Sequence, residues 1–232
     1  MKTLPAFLIG GLLCGCASAP SGKVEKGFTD SFGADKADLA SIGKNRYFIL
    51  EPGYFLILEG GSQGKTTVLT ITVLKETKMV DGVETRVVEE KETVNGQPEE
   101  ISRNYFAISK KTGDLFYFGE DVDEYKKGKV AAHGGSWLSG VEGAKFGLLI
   151  PAAPFVGLRY QQEIAPGVAM DRAEVVSVTE TVETPAGKFE QCLKTLETSA
   201  IESGKEFKLY APGIGLIHDA ELKLTKYGRA TQ

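Results

Sequence analysis

Histidine and cysteine are scarce in this chain: 232 residues carry 2 His and 3 Cys, and two of the cysteines, Cys14 and Cys16, fall within the first sixteen positions. Two isolated histidines and one remaining thiol, Cys192, do not supply the usual zinc ligand set, so no metal or other cofactor is expected. With Cys14 and Cys16 set aside, no intramolecular disulfide can form, and Cys192, in an apolar alternating run, reads as a buried structural thiol. Positive charge is not in excess either. A net charge of −4 gives no general attraction to nucleic acid, and a basic groove is not expected. The chain also lacks an apolar run of membrane-spanning length, and it lacks the helix–strand repetition that a parallel sheet requires.

Signals of export are present. Met1 and Lys2 precede the short apolar run Leu4 to Leu13, and Leu13, Cys14, Gly15 and Cys16 resemble the bacterial lipobox. Gly15 is the small residue required before the cut, so residues 1–15 are expected to be a lipoprotein signal peptide and Cys16 the diacylated, then N-acylated, first residue. Each buried methylene of such chains contributes about 0.8 kcal/mol, and stable anchoring takes more than one chain. Ala17 is not the Asp that retains many lipoproteins at the inner membrane. By resemblance to that sorting rule, the expected location is the outer membrane, lipid-anchored and facing the periplasm. Residues 16–44, rich in Ser, Gly, Ala, Lys and Asp, read as a lipidated tether with a short helix at Ala34 to Ile42, and 45–232 as a single domain.

That domain reads as all-β and antiparallel, a meander of long hairpins forming a curved sheet, half-barrel or barrel. Thr66 to Met79 is rich in β-branched residues and alternates, Asp81 and Gly82 carry a type I′ turn signal, and Val83 to Val94 returns. Asn95 and Gly96 repeat the signal before Ile101 to Ile108, and Leu115 to Gly119 follows. Later pairs are Ala173 to Val182 with Lys188 to Thr198, and Glu206 to Tyr210 with Leu216 to Thr225, the last placing His218 on one face and Asp219 on the other. About ten strands are expected.

Catalytic motifs fail on context. The segment Gly60 to Thr66 is one residue short of a phosphate loop, and its GxSxG spacing, which would make Ser62 a hydrolase nucleophile with His133 or His218 as base, is followed by a strand pattern where a helix is required. Glu120, Asp121, Asp123 and Glu124 imitate the start of a calcium loop, but Tyr125 and Lys126 stand at its third ligand and glycine positions, so a solvated acidic turn is expected. The stretch Leu115 to Glu163 holds the single Trp and the densest aromatic group. Tyr117, Tyr125, Trp137, Phe155 and Tyr160 are the candidate lining of an apolar site.

The segments Tyr117 to Asp121, Gly135 to Trp137, Gly140 to Ala144, Pro151 to Pro154, Tyr160 to Glu163 and Tyr210 to Leu216 resemble a family of exported bacterial proteins without an established activity. The resemblance covers about 45–227, and that family usually has Pro where this chain has Phe146. In plan, a lipid-anchored antiparallel sheet is also similar to the lipoprotein carriers LolA and LolB, which hold acyl chains against a concave face. The expected function is a non-catalytic outer-membrane lipoprotein that binds an apolar small molecule or an envelope protein. The alternatives are a structural envelope module without ligand and a serine hydrolase using Ser62.

Overall fold

In chain order the strands are β1 (Leu39–Ala40), β2 (Gly43–Asn45), β3 (Phe48–Leu50), β4 (Tyr54–Gly60), β5 (Thr67–Val80), β6 (Val83–Val94), β7 (Gln97–Ser109), β8 (Leu115–Lys126), β9 (Lys129–Ala132), β10 (Trp137–Leu138), β11 (Lys145–Ile150), β12 (Arg159–Gln161), β13 (Glu163–Ile164), β14 (Asp171–Thr184), β15 (Gly187–Ser199), β16 (Glu206–Ala211), β17 (Gly215–Asp219) and β18 (Leu222–Arg229). They belong to a computed structural model that describes residues 27–62 and 64–230. The expected signal peptide and Cys16 lie outside the described residues, as does Gln63 of the glycine-rich loop.

The sheet is antiparallel throughout, and its order is β12-β14-β15-β16-β17-β18-β4-β5-β6-β7-β8-β11-β13, with β1, β9 and β10 attached to β7 and β8. It curls into a large, nearly closed barrel. The two ends of the order meet at a seam, where the Gln162 amide donates to the Asp171 carbonyl at 2.8 Å and the Tyr160 hydroxyl donates to the Leu149 carbonyl at 3.3 Å. Alternation explains why these segments form strands with one buried face: Tyr54, Leu56 and Leu58 of β4 and Leu69, Ile71 and Val73 of β5 are all buried, one residue in two. The β5–β6 and β6–β7 turns sit where expected, with Asp81 and Asn95 at φ 49° and 51° before Gly82 and Gly96, the type I′ geometry that matches strand twist.

Several expectations are corrected. Among the described residues eighteen strands replace about ten, because short strands form between and beside the long hairpins. No helix forms at Ala34 to Ile42. A single 3-10 turn, Lys36–Asp38, is followed by β1 because the Asp38 carboxylate is drawn to the Ser109 hydroxyl (2.6 Å) and the Lys111 amide (3.2 Å). The packed region begins well before Asn45. Phe28 lies under the Arg159 and Arg172 guanidinium groups, Thr29 bonds on both sides of Tyr160, Phe32 meets the Phe116 ring at 6.0 Å, and the Lys36 ammonium pairs with Asp81 at 2.6 Å. The expected acidic turn after Gly119 is instead the continuation of β8 to Lys126, since β7 offers a pairing edge along its whole length. Leu216 to Thr225 is two strands. Ala220, at φ 50°, makes a tight turn that returns β18 along β17.

The β2–β3 hairpin crosses one end of the barrel. The Asn45 amide donates to the Gly113 carbonyl in the β7–β8 turn (2.8 Å), the Gly213 amide in the β16–β17 turn donates to the Arg46 carbonyl (2.7 Å), and the Tyr47 hydroxyl donates to the Gln191 carbonyl of β15 (3.2 Å). Opposite walls are thereby tied through one plug.

Candidate functional site

Above the plug lies an apolar crevice. Phe48 and Ile49 form its floor, and Tyr54, Leu56, Ile71, Val73, Phe106, Leu149, Tyr210, Ile214 and Leu216 form its walls, drawn from β4, β5, β7, β11, β16, β17 and the β16–β17 turn. The space wide enough for a water-sized sphere is only about 30 Å³, so without movement of the walls the crevice takes a slim group and not a ring system. Glu90 of β6 reaches into this apolar surround with only 8% of its surface exposed. Burial pushes its carboxyl up to about 7. No hydrogen-bond donor among the described residues reaches it.

Glu90 marks where the barrel interior changes character. Across the interior, Lys208 of β16 is 1% exposed, its ammonium 3.5 Å from a carboxylate oxygen of Asp219 (β17) and 3.5 Å from one of Glu197 (β15). Burial alone would drive the ammonium down, but Asp219, Glu197, Glu206 and Glu90 together outweigh it and hold Lys208 above its ordinary range. Burial also opposes ionisation of Asp219, yet Lys208 prevails and the carboxyl lies below its ordinary value. Glu206 goes the other way, pushed to about 9 by burial and then by its neighbour Asp219. Glu197 further accepts from the Thr195 hydroxyl (3.3 Å), the Tyr210 hydroxyl (3.4 Å) and the Gln162 side-chain amide (3.1 Å).

On the β7–β8 wall, Glu120 is raised by burial, with Glu100 and Glu90 adding repulsion, and Glu163 at the seam is pushed to about 8 by burial before the charges of Asp171 and Glu120. Beside them Asn104, 0% exposed, accepts from the Tyr117 hydroxyl at 2.5 Å and donates to Ser102 Oγ at 3.2 Å. The barrel is therefore apolar next to the plug and densely acidic beyond Glu90.

The sequence-predicted site residues are scattered by this geometry. Tyr117 and Trp137 do meet, edge to face at 5.4 Å, and Phe106 joins Tyr117 to the crevice wall at 4.9 Å, so this pair stands one layer behind the crevice. Tyr160 is fully buried at the seam, Tyr125 is half-buried at the far end of β8, and Phe155 is 60% exposed in the loop before β12. Of the central stretch, only Leu149 lines the crevice. Sequence reasoning passed over the buried charged residues of the interior, Glu90, Lys208, Glu197, Glu206 and Asp219, of which Glu90 lines the crevice. Their one legible sign is phase, since Lys208 alternates with Tyr210 and Glu90 with Val88. Asp219 was masked further, because the turn at Ala220 reverses the face that simple alternation assigns, leaving Asp219 1% exposed.

The other tempting groups are engaged elsewhere. Asp121, in β8, pairs with Lys78 at 2.8 Å and accepts from the Tyr105 hydroxyl, while Asp123 pairs with Arg103 (3.2 Å) and His133 (3.0 Å). Ser62 is exposed in the β4–β5 connection, and β5 follows it where a nucleophile elbow needs a helix. Cys192 is buried and free, its thiol pushed up to about 11 by burial, which disfavours the reactive thiolate. Among the described residues no helix is long and apolar enough to cross a membrane, and no group of three or more His, Cys, Asp or Glu is placed to hold a metal ion. Comparison of the chain with protein-family models, curated protein sequences and solved structures returned no match.

Proposed function

We propose that this chain is a non-catalytic binding protein whose barrel interior takes a slim apolar ligand, held at the outer membrane through a lipidated Cys16. The observation that carries the reading is the crevice: eleven apolar or aromatic side chains converge on one interior space, and a single buried carboxylate borders it. Small-molecule sites have this composition, mostly apolar with few polar groups that orient the guest. A purely structural barrel gains nothing from burying Glu90 with no donor to it among the described residues, because filling that position with an apolar residue relieves the cost of burying an acid.

The strands and the hydrophobic core found among the described residues fall within 27–230, and a chain from residue 24 onward carries all of them. Native mass spectrometry of that unit, exported to a bacterial periplasm, tests the proposal. The expected result is a retained mass released on denaturation, or a mass gained on adding an alkyl-chain compound. A protein that stays at its bare mass in both conditions overturns it.

A further inference from the structure

The interior is not electrically neutral. Among the described residues, Glu90, Glu197, Glu206 and Asp219 lie within the field of the buried Lys208, and Glu90 also lies within the fields of Glu100 and Glu120. Lys208 is bracketed by Asp219 and Glu197 at 3.5 Å each, which leaves its charge committed on that side of the barrel. Glu90 stands nearer the crevice, more than nine-tenths buried and without a hydrogen-bond donor among the described residues. A carboxyl group in that position is a costly feature unless something delivers a donor to it.

Building on the apolar-ligand reading above, we propose that Glu90 receives the ammonium head of a linear alkylamine whose hydrocarbon chain lies in the crevice between Phe48, Ile71 and Leu216. The open space is about 30 Å³, so the crevice takes a single unbranched chain only as its walls part. The surrounding carboxylates select the head: an anionic head meets repulsion from Glu90, Asp219 and Glu120, a hydroxyl offers one neutral donor, and an ammonium offers three charged ones. The groups facing Glu90 are Lys208, Asp219 and Glu100, with Glu120 and the Tyr117 and Tyr210 hydroxyls also within its field. Lys208 opposes the incoming cation, but its charge is held by Asp219 and Glu197.

Calorimetric titration of the unit from residue 24 with dodecylamine, dodecanol and dodecanoate, each below its aggregation limit at pH 7.5, tests the assignment. Dodecylamine is expected to bind at least tenfold more tightly than dodecanoate. Glu90→Gln is expected to weaken dodecylamine at least tenfold while leaving dodecanol within about twofold, and Glu90→Leu, which keeps an apolar wall, is expected to do the same. Amine affinity is expected to rise between pH 5 and pH 8 as Glu90 ionises. If all three compounds bind alike, if dodecanoate binds best, or if both Glu90 variants leave dodecylamine unchanged, the head-group assignment falls and the apolar-ligand reading stands. If none binds, both fall.

Discussion

Glu90 and Lys208 are opposite answers to the same problem, a charge taken out of water. Lys208 is compensated: replacing it with Met leaves Asp219 and Glu197 facing each other without their cation, and the expected loss is about 3–5 kcal/mol. Urea unfolding of Lys208→Met checks this, with a lower midpoint at unchanged slope as the expected outcome. Glu90 makes no ion pair among the described residues, and burial outweighs the opposing field of Lys208, so its carboxyl is raised from 4.5 to about 7. A raised folded-state value means that the protonated form is favoured on folding. Its contribution is fully present below pH 4.5 and is lost as pH climbs through 7. The stability of Glu90→Leu relative to the parent is therefore expected to improve by roughly 3 kcal/mol between pH 4.5 and pH 8. Equal stability differences at pH 4.5 and pH 8 would contradict the burial argument.

At the scale of elements, β8 pairs with β7, β9, β10 and β11, and its shape depends on one glycine. Gly119 has φ 129°, and a Cβ built there would sit 2.2 Å from the Trp137 carbonyl oxygen. The register of β8 against β7 shifts at this point, between Asn104 and Phe106, which lets Phe116 and Phe118 pack under Phe146 outside while Tyr117 and Glu120 serve the interior. Gly119→Ala is expected to cost roughly 2–4 kcal/mol, because backbone strain is added to a backbone clash that no side-chain rotation relieves. It is also expected to shift Trp137 emission to the red as β10 moves off β8. Unchanged emission and stability would show that β10 is not held by this contact.

For the whole molecule, the barrel is uneven in strength around its circumference. The strands β5, β6 and β7 run 12 to 14 residues and pair along most of their length, whereas β12 and β13 at the seam have three and two. Local opening follows the least-paired elements. Amides of β12 and β13 are expected to exchange with deuterium well before those of β5 to β7, and a bound ligand touching Leu149 and Tyr210 is expected to slow the seam most. Uniform exchange around the barrel would mean that opening is global. The seam can part without breaking a long ladder, which makes it a route of access to the crevice.

The sequence by itself determined the class of fold and most of the long strands. Alternating β-branched runs separated by Asp-Gly and Asn-Gly turns specify antiparallel hairpins through local chemistry alone, and the interactions that do so lie within a few residues of one another. The same reading missed the short strands, the packing of residues 28–44, the division at Ala220, and the site. Glu90 and Lys208 are about 118 positions apart; β6 carries charge on both faces, and in β16 alternation sends the charged face of Glu206 and Lys208 to solvent, so no local pattern says that these charges turn inward. Only closure of the sheet decides that. Once β4, β5, β17 and β18 are placed between β6 and β16, the curvature puts Glu90 opposite Lys208, and burial then makes their ionisation a property of the tertiary structure.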